Sequence, residues 1–245
     1  QEKEYQSMKN EAAGAADRLD VEQNYFVTYN ESSKTRGHYV GTRNKDDMTK
    51  TIKISSLSEL EKHSTMLSGK MYQDKVGADG ALEAIVSQKC MSKLDELNRF
   101  MDAKGNAIRV KIVGVFTNKE ADDTYWVQSP SDYYMDLFIS PKVFESDFIN
   151  LKKQSFVMTT TWSLVFDYKE LAAEQIDSFV SETEDMMQET SDAYNCKIDE
   201  PAYLEVLREY QTSAKKVRTT LLILQFPVLA LLLAFIFMIS RQMLD

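Results

Sequence analysis

The residues best suited to bind a ligand are two carboxylates that stand close to two aromatic side chains. Asp122 and Asp123 precede Tyr125 and Trp126. A cationic peptide could contact such a group through charge and through cation–π interactions with the rings. The other interpretation is an acidic surface loop that one aromatic side chain anchors to the core, which is the more common arrangement. The four residues are therefore a candidate partner or substrate contact, with the anchored loop as the alternative.

Cysteine and histidine are too sparse to predict a metal site or a catalytic site. Cys90 and Cys196 are the two cysteines, and their separation excludes zinc ribbons and CxxC redox motifs. Two alternatives remain for them, a disulfide between them or two buried thiols. Neither His38 nor His63 has a second ligand at metal-binding spacing, and no serine lies in a nucleophile elbow. We expect no catalytic residue, no metal and no enzymatic activity in this chain.

Binding of nucleotides and nucleic acids is also disfavoured. The chain has no GxxxxGK[ST] loop, and Gly77 and Gly80 lack the strand-glycine-helix context of a nucleotide fingerprint, so they predict a turn. Lys and Arg number 29 against 38 Asp and Glu, which gives a formal net charge of −9. Binding to a phosphate backbone depends on an excess of Lys and Arg. The sequence predicts no cofactor in this chain and no nucleic-acid partner.

The C-terminal region contains one uninterrupted apolar run, from Leu221 to Ile239. In a helix that rises about 1.5 Å per residue this run is roughly 28 Å long, close to the hydrocarbon thickness of a bilayer. Gln225 and Pro227 are exceptions, because a glutamine facing lipid is costly and proline removes the backbone donor for the Ile223 carbonyl. We expect both to pack against other transmembrane helices. The alternative is a simple anchor that tolerates one polar residue and one kink.

A polar helix leads directly into this run. Pro201 is suited to open a helix, and no glycine occurs between Ala202 and Met243. We predict a stalk helix at residues 201–220 that continues into a transmembrane helix at residues 221–243. The stalk side chains that repeat at helical spacing are Tyr203, Leu207, Tyr210, Ala214 and Val217.

The remaining residues predict a helix at residues 1–20 and an α+β domain at residues 21–200, in one or two subdomains. We expect mixed or antiparallel sheets with flanking helices, and a centrally paired strand at residues 156–166, where alternate side chains are apolar. Further strands are predicted at residues 25–29, 38–42, 51–55, 108–115 and 133–139, with a bulge at Gly114. Further helices are predicted at residues 57–68 and 81–100 and after Asp167.

The apolar run also carries a sequence resemblance. Leu224-Gln-Phe-Pro227 is followed by apolar residues that end in Met238-Ile-Ser240, and this combination resembles the FtsX-like permeases of ABC transporters. Two segments, Ile112-Val-Gly-Val-Phe116 and Leu137-Phe-Ile-Ser-Pro141, are similar to the extracytoplasmic domain of the MacB-like members. The chain would then comprise that domain and the second transmembrane helix, with a first transmembrane helix preceding residues 1–20.

The resemblance implies a multi-pass protein of the bacterial cell membrane whose large domain is extracytoplasmic. A separate ABC-type nucleotide-binding subunit would bind ATP and Mg²⁺, and a second permease copy would complete the transporter. ATP-driven motion would then be coupled to export or removal of a peptide or lipid-linked substrate, or to mechanotransmission across the membrane. Two alternatives are a permease that activates a cell-wall hydrolase and a single-anchored extracellular domain that binds a peptide or another protein, as in adhesion.

The charges that flank the apolar run favour the opposite orientation. Lys215, Lys216 and Arg218 precede it, whereas Arg241 follows it. The positive-inside rule would place the large domain in the cytoplasm, but this rule is weak for long translocated domains. We follow the resemblance and expect an extracytoplasmic domain.

Overall fold

The computed structural model describes residues 2–39, 49–90, 96–101, 107–149 and 157–244. The chain divides into two compact units, Gln1–Asp167 and Tyr168–Asp245. The first unit contains the β-sheet, and the second contains two long helices.

Nine strands occur in the described part of the first unit, and all of them belong to one mixed sheet. They are Glu22–Ser32 (β1), Thr35–Tyr39 (β2), Thr49–Leu57 (β3), Ser64–Gly69 (β4), Leu82–Ser87 (β5), Glu96–Met101 (β6), Ala107–Asn118 (β7), Asp136–Phe138 (β8) and Met158–Asp167 (β9).

The sheet has the strand order β2-β6-β7-β5-β8-β3-β1-β9, and β4 pairs with β7. A further pairing between β2 and β3 closes the strands β2, β6, β7, β5, β8 and β3 into a ring. The pairs β5–β7 and β3–β8 are parallel, and the other pairs are antiparallel. Closure satisfies both edges of the strands in the ring, which would otherwise offer unpaired backbone groups to other chains.

Short helices flank the sheet in the first unit. They are Glu2–Ala13 (α1), Ala15–Leu19 (α2), Leu60–His63 (α3) and Pro141–Phe144 (α4), and a π-helical turn at Glu145–Ile149 follows α4. The start of α4 is encoded locally, because Pro141 occupies the first turn and the Ser140 hydroxyl accepts a hydrogen bond from the Lys142 amide.

The two faces of the sheet bury separate apolar clusters. Side chains alternate along a strand, so the neighbours Ala84 and Ile85 belong to different clusters. The first cluster includes Ile52, Ile54, Val110, Leu137, Phe144 and Phe148. The second is rich in aromatic rings and includes Val27, Leu57, Phe116, Tyr125, Tyr133 and Phe138.

Strand β7 confirms the predicted strand at residues 108–115 and its bulge. Its register with β5 shifts where Ile112 pairs with Ala84 but Gly114 pairs with Ile85, so one residue is left over. A Cβ atom on Gly114 would lie 2.3 Å from Met66 Cε and 2.4 Å from the Lys70 carbonyl oxygen. Glycine is required here because the neighbouring chain approaches so closely.

Three predicted elements are wrong. Residues 57–68 were expected as one helix, but α3 spans a single turn and the chain continues as β4. Residues 81–100 were expected as a helix, but they contain strands β5 and β6, with residues 91–95 outside the described part. The strand at residues 156–166 was expected at a central position, but β9 pairs with β1 alone among the described strands and ends the strand order. Residue 156, like residues 40–42 of the strand predicted at 38–42, is outside the described residues.

The second unit consists of helices Ile176–Tyr194 (α5) and Ala202–Leu244 (α6). Asp167, the predicted cap of a helix, instead ends β9, and α5 follows a 3₁₀ turn at Ala173–Gln175. Helix α6 runs without interruption through Pro227, as the sequence predicts for a stalk joined to an apolar helix. The fold is therefore α+β, with a mixed sheet, flanking helices and a long C-terminal helix with an apolar end.

Candidate functional site

The base of α6 is packed against α5 by aromatic rings. Leu204 is fully buried. The ring centroids of Phe179 and Tyr203 are 5.8 Å apart, and those of Tyr168 and Tyr203 are 5.1 Å apart. Burial raises the pKa values of Tyr168 and Tyr203. Tyr203, the first of the predicted stalk residues, is thus part of the core of the second unit.

Polar side chains extend this contact along the next turns of α6. Arg208 donates from Nε to Glu184 Oε1 at 2.9 Å and also bonds Glu200. Gln211 Nε2 donates to Asp177 Oδ1 at 2.8 Å. These bonds lie at the surface, where an individual ion pair adds little stability. Together they hold the first three turns of α6 against α5.

Beyond Leu207 the predicted stalk residues become exposed in the described part of the chain. Tyr203 and Leu207 are half-buried, whereas Tyr210, Ala214 and Val217 are exposed. The five predicted stalk residues do lie on one face of α6, as their spacing requires. The lower part of that face is covered by α5, and the upper part is uncovered.

The apolar end of α6 has the length and composition of a membrane span. Among the described helices, α6 is the one long and apolar enough to cross a bilayer. Its most apolar stretch is entirely unburied, so this helix is not a core helix of the chain. Large apolar side chains here are strongly exposed, with Phe226 at 75% and Leu231 at 71%. Such a surface needs lipid or other apolar helices around it.

Gln225 and Pro227 lie in one turn of this span but face different directions. Residues two positions apart on a helix project roughly 200° apart. A single neighbouring helix therefore could not contact both the Gln225 amide and the surroundings of Pro227. The predicted packing of both residues against other transmembrane helices requires neighbours on two sides, and it stays a prediction.

The candidate contact residues Asp122, Asp123, Tyr125 and Trp126 lie on one loop of the first unit. Asp123 Oδ2 is 2.6 Å from His63 Nδ1. The His63 ring stacks on Tyr125 with centroids 3.8 Å apart and an angle of 7° between the planes. Burial opposes the charge on Asp123, but hydrogen bonds from the Tyr125 amide and from His63 lower the pKa of this carboxyl.

The loop is anchored to the sheet through Tyr125. Its side chain is 2% exposed, and its hydroxyl donates to the Ser58 carbonyl oxygen at 2.6 Å. Trp126 stacks on Phe116 at 6.1 Å between centroids, while Asp122 is exposed. This geometry is that of the anchored acidic loop, and contact with a cationic peptide stays a prediction. His63 could not be recognised from the sequence as the partner of Asp123, because 60 positions separate them.

A second polar cluster, which the sequence did not indicate, joins strands β1, β3 and β8. Asp136 is 2% exposed and accepts hydrogen bonds from the Tyr29 hydroxyl at 2.5 Å and the Ser55 hydroxyl at 2.6 Å. Lys53 lies 3.4 Å from Asp136 and pairs with Glu31. Burial opposes the charge on Lys53, but the bond to Glu31 and the nearby carboxylates raise its pKa. Every member of this cluster has a partner, so it stabilises the sheet.

A surface depression of about 600 Å³ lies beside α4. Asp74 in its wall accepts hydrogen bonds from the Ser140 hydroxyl at 2.6 Å and from Lys142 Nζ at 2.5 Å, and these bonds lower the pKa of Asp74. The polar groups therefore connect the depression wall to α4. The Tyr72 hydroxyl in the same wall is buried and has no hydrogen-bond partner among the residues that the structure describes.

The two cysteines are thiols in the structure. Cys90 is buried in the first unit and Cys196 is half-buried in the second. The choice between a disulfide and two buried thiols stays a prediction, and Cys196 is only half-buried in the structure. No group of three or more potential metal ligands occurs among the described residues.

Comparison with protein-family models gives no match, and a search of curated protein sequences gives none either. Among solved structures, the chain is similar to the periplasmic region of MacB from Actinobacillus actinomycetemcomitans, with a TM-score of 0.38 and 10% sequence identity. The alignment covers 77% of this chain and 74% of that one.

Proposed function

We propose that the chain is the extracytoplasmic domain and second transmembrane helix of an FtsX-like ABC transporter permease. A separate subunit would bind and hydrolyse ATP, and this chain would carry the resulting motion across the membrane. The coupled process would be export or removal of a peptide or lipid-linked substrate, or mechanical control of a protein outside the membrane.

The observation that supports this proposal most directly is the continuity of α6. One helix spans Ala202–Leu244, from a base packed by aromatic rings to an unburied apolar end. A loop or flexible linker at residue 220 would allow the bilayer segment to move without the base. A continuous helix transmits rotation and translation, because each added bend must break backbone hydrogen bonds.

The resemblance of the Leu224-Gln-Phe-Pro227 segment supports a permease over a simple anchor. Helix α6 contains Pro227 in its interior, where the Ile223 carbonyl loses its donor. In hydrocarbon such a carbonyl needs a partner from a neighbouring helix or side chain. A bundle of several transmembrane helices supplies such partners directly.

The stiffness of the stalk provides the test. Replacing Ser213 and Ala214 together by glycine should cost about 1.5 kcal/mol of local helix stability, about 0.5 from the serine and about 1 from the alanine. Both positions are exposed, so no packing is lost. The matched control is Ser213→Ala, which leaves a strong helix former at both sites.

The measurement uses the intact transporter in its own membrane. We expect the double glycine variant to keep surface expression and ATP hydrolysis but to lose transporter-dependent growth or resistance, while Ser213→Ala keeps all three. Full biological activity in the glycine variant would contradict the proposal that a continuous α6 transmits the motion. If no ATP-hydrolysing subunit co-purifies with the full-length protein, the proposal that the chain belongs to an ABC transporter is contradicted.

A further inference from the structure

Three basic side chains form an exposed cluster on α6 directly before its apolar end. We call Lys215, Lys216 and Arg218 the basic cluster. All three are exposed, and no ion pair involves them in the part of the chain that the structure describes. The basic residue one step closer to the base, Arg208, is by contrast paired with Glu184 and Glu200.

The local sequence keeps carboxylates away from this cluster. No Asp or Glu occurs between Glu209 and Asp245, although the whole chain has a net charge of −9. The hydroxyls of Thr219 and Thr220 donate to the Lys215 and Lys216 carbonyl oxygens within the helix, each at 2.8 Å. The three cations are thus the groups at this level of α6 that remain available for an external anion.

The height of the cluster matches the headgroup layer. If the hydrocarbon region begins at Leu221, the Cα atoms of Arg218 and Lys215 stand roughly 4.5 Å and 9 Å above it along the helix axis. The polar layer on each side of a bilayer is roughly 5–8 Å thick, and Lys and Arg side chains reach several ångströms further. The phosphates of the lipids lie within reach of all three cations.

The cluster and the uncovered stalk face lie on largely different sides of α6. By helical periodicity Lys215 and Lys216 lie on the side away from the exposed side chains of Tyr210, Val217 and Leu221. Arg218 lies at the border, because it lines the same surface groove as these three side chains. A lipid bound by Lys215 and Lys216 therefore leaves this face available to a protein neighbour.

We infer that the basic cluster binds the phosphate groups of anionic phospholipids, and so fixes the depth of α6 in the bilayer. This inference rests on the proposed span at the end of α6, and it applies to either orientation of the chain. In the proposed orientation, with the domain extracytoplasmic, it also gives a reason for cations that the positive-inside rule would not place there.

The experiment reconstitutes the full chain in vesicles of phosphatidylcholine and measures, with spin-labelled lipids, the preference of the chain for phosphatidylglycerol over phosphatidylcholine. Each cation near an anionic surface changes binding about fivefold. We expect a preference of at least about fivefold in the parent chain and a value of about one in the Lys215→Ala, Lys216→Ala, Arg218→Ala variant. Raising the salt to about 1 M should suppress the preference, because the Debye length falls to about 3 Å.

The control removes three equally exposed cations from the first unit, Lys34→Ala, Lys89→Ala and Lys119→Ala. This control changes the net charge equally, so it should keep the lipid preference if the basic cluster is the site. Absence of a preference in the parent chain, or its persistence in the cluster variant, would overturn the inference. Loss of preference in the control would do the same, since a general charge effect would then suffice.

An alkaline wash of the vesicles separates this inference from the proposed function. A parent chain that remains in the membrane but shows no lipid preference contradicts the lipid site alone. If the wash releases the chain from the vesicles, α6 does not span the bilayer, and the inferred lipid site is contradicted as well.

Discussion

An alkaline titration tests how deeply the tyrosines of the first unit are buried. Burial, with a contribution from nearby carboxylates, raises the pKa of Tyr5 to about 12 and that of Tyr133 to about 12. Burial also raises the pKa values of Tyr29, Tyr72 and Tyr125. All five phenols therefore resist ionisation in the folded chain at a pH where the unfolded chain loses their protons.

The sign of the effect on stability follows from proton linkage. A phenol whose pKa is higher in the folded chain than in the unfolded chain gives stability that is fully present below about pH 10. That stability is lost as the pH rises toward the folded value. At about 1.4 kcal/mol per pKa unit, Tyr5 and Tyr133 each remove about 2 kcal/mol between pH 10 and 12, or about 4 kcal/mol together. Single domains are stable by about 5–15 kcal/mol, so this loss should be large enough to measure and, for a marginal domain, to unfold it.

Two neighbouring tyrosines offer a matched pair of variants. Tyr133 is 5% exposed, whereas Tyr134 is 48% exposed. Urea denaturation of the full chain in detergent, followed by circular dichroism at several pH values, gives the free energy of unfolding. Tyr133→Phe should reduce the loss between pH 10 and 12 by about 2 kcal/mol, and Tyr134→Phe should follow the parent chain. Equal pH dependence in the two variants, or ionisation of all tyrosines near pH 10 in a chain that stays folded, would refute the reasoning.

Two further predictions concern the polar cluster and the orientation. Asp136→Asn should lower the free energy of unfolding by about 2–3 kcal/mol because a buried carboxylate loses charge-assisted hydrogen bonds, whereas Asp132→Asn at the surface should change it by less than about 0.5 kcal/mol in the same urea assay. The exposed Asp122→Cys, in a chain where Cys90→Ala and Cys196→Ser remove the native thiols, should react with a membrane-impermeant maleimide on intact cells. Labelling that requires lysis would place the domain in the cytoplasm.

The elements that the sequence predicted best are those whose pattern is set by local geometry. Alternation of apolar residues identified β7, and the need for glycine at position 114 explains why its phase changes there. The absence of glycine and the apolar run identified α6. In each case the pattern that identifies the element lies in consecutive residues of the sequence.

The wrong predictions arose where pairing with distant strands overrides a local pattern. Ser56 stands three residues before Glu59, as in a capping box, and apolar residues follow at helical intervals up to Leu67. Glu59 nevertheless has a left-handed backbone with φ at 61°. The chain then turns so that Ser64 can pair with Asn118 on β7. Strand β5 is paired on both edges, and its side chains are buried on both faces, so its sequence shows no alternation and resembles a buried helix.

The polar contacts could not be predicted for a different reason. His63 and Asp123, like Lys53 and Asp136, are brought together by strand order, and one sequence does not reveal that order. The sequence showed that Asp122, Asp123, Tyr125 and Trp126 lie close together, but it did not show their hydrogen-bond partners His63 and Ser58. The sequence favoured an anchored loop over a binding site for these four residues, but it could not show which groups anchor the loop.

The contacts along α6 show where a bend would uncouple the base of the helix from its apolar end. Arg208 and Gln211 tie its first turns to α5, and the basic cluster begins about one turn above Gln211. If lipid phosphates hold the basic cluster, the helix is restrained at two levels that are roughly 6 Å apart, as the rise per residue requires. Ser213 and Ala214 lie between these levels. Glycine at both positions therefore weakens the helix between two restraints, and each restraint can stay intact. A loss of activity in this variant would then result from the lost continuity of α6, and not from damage to its base or to its membrane anchor.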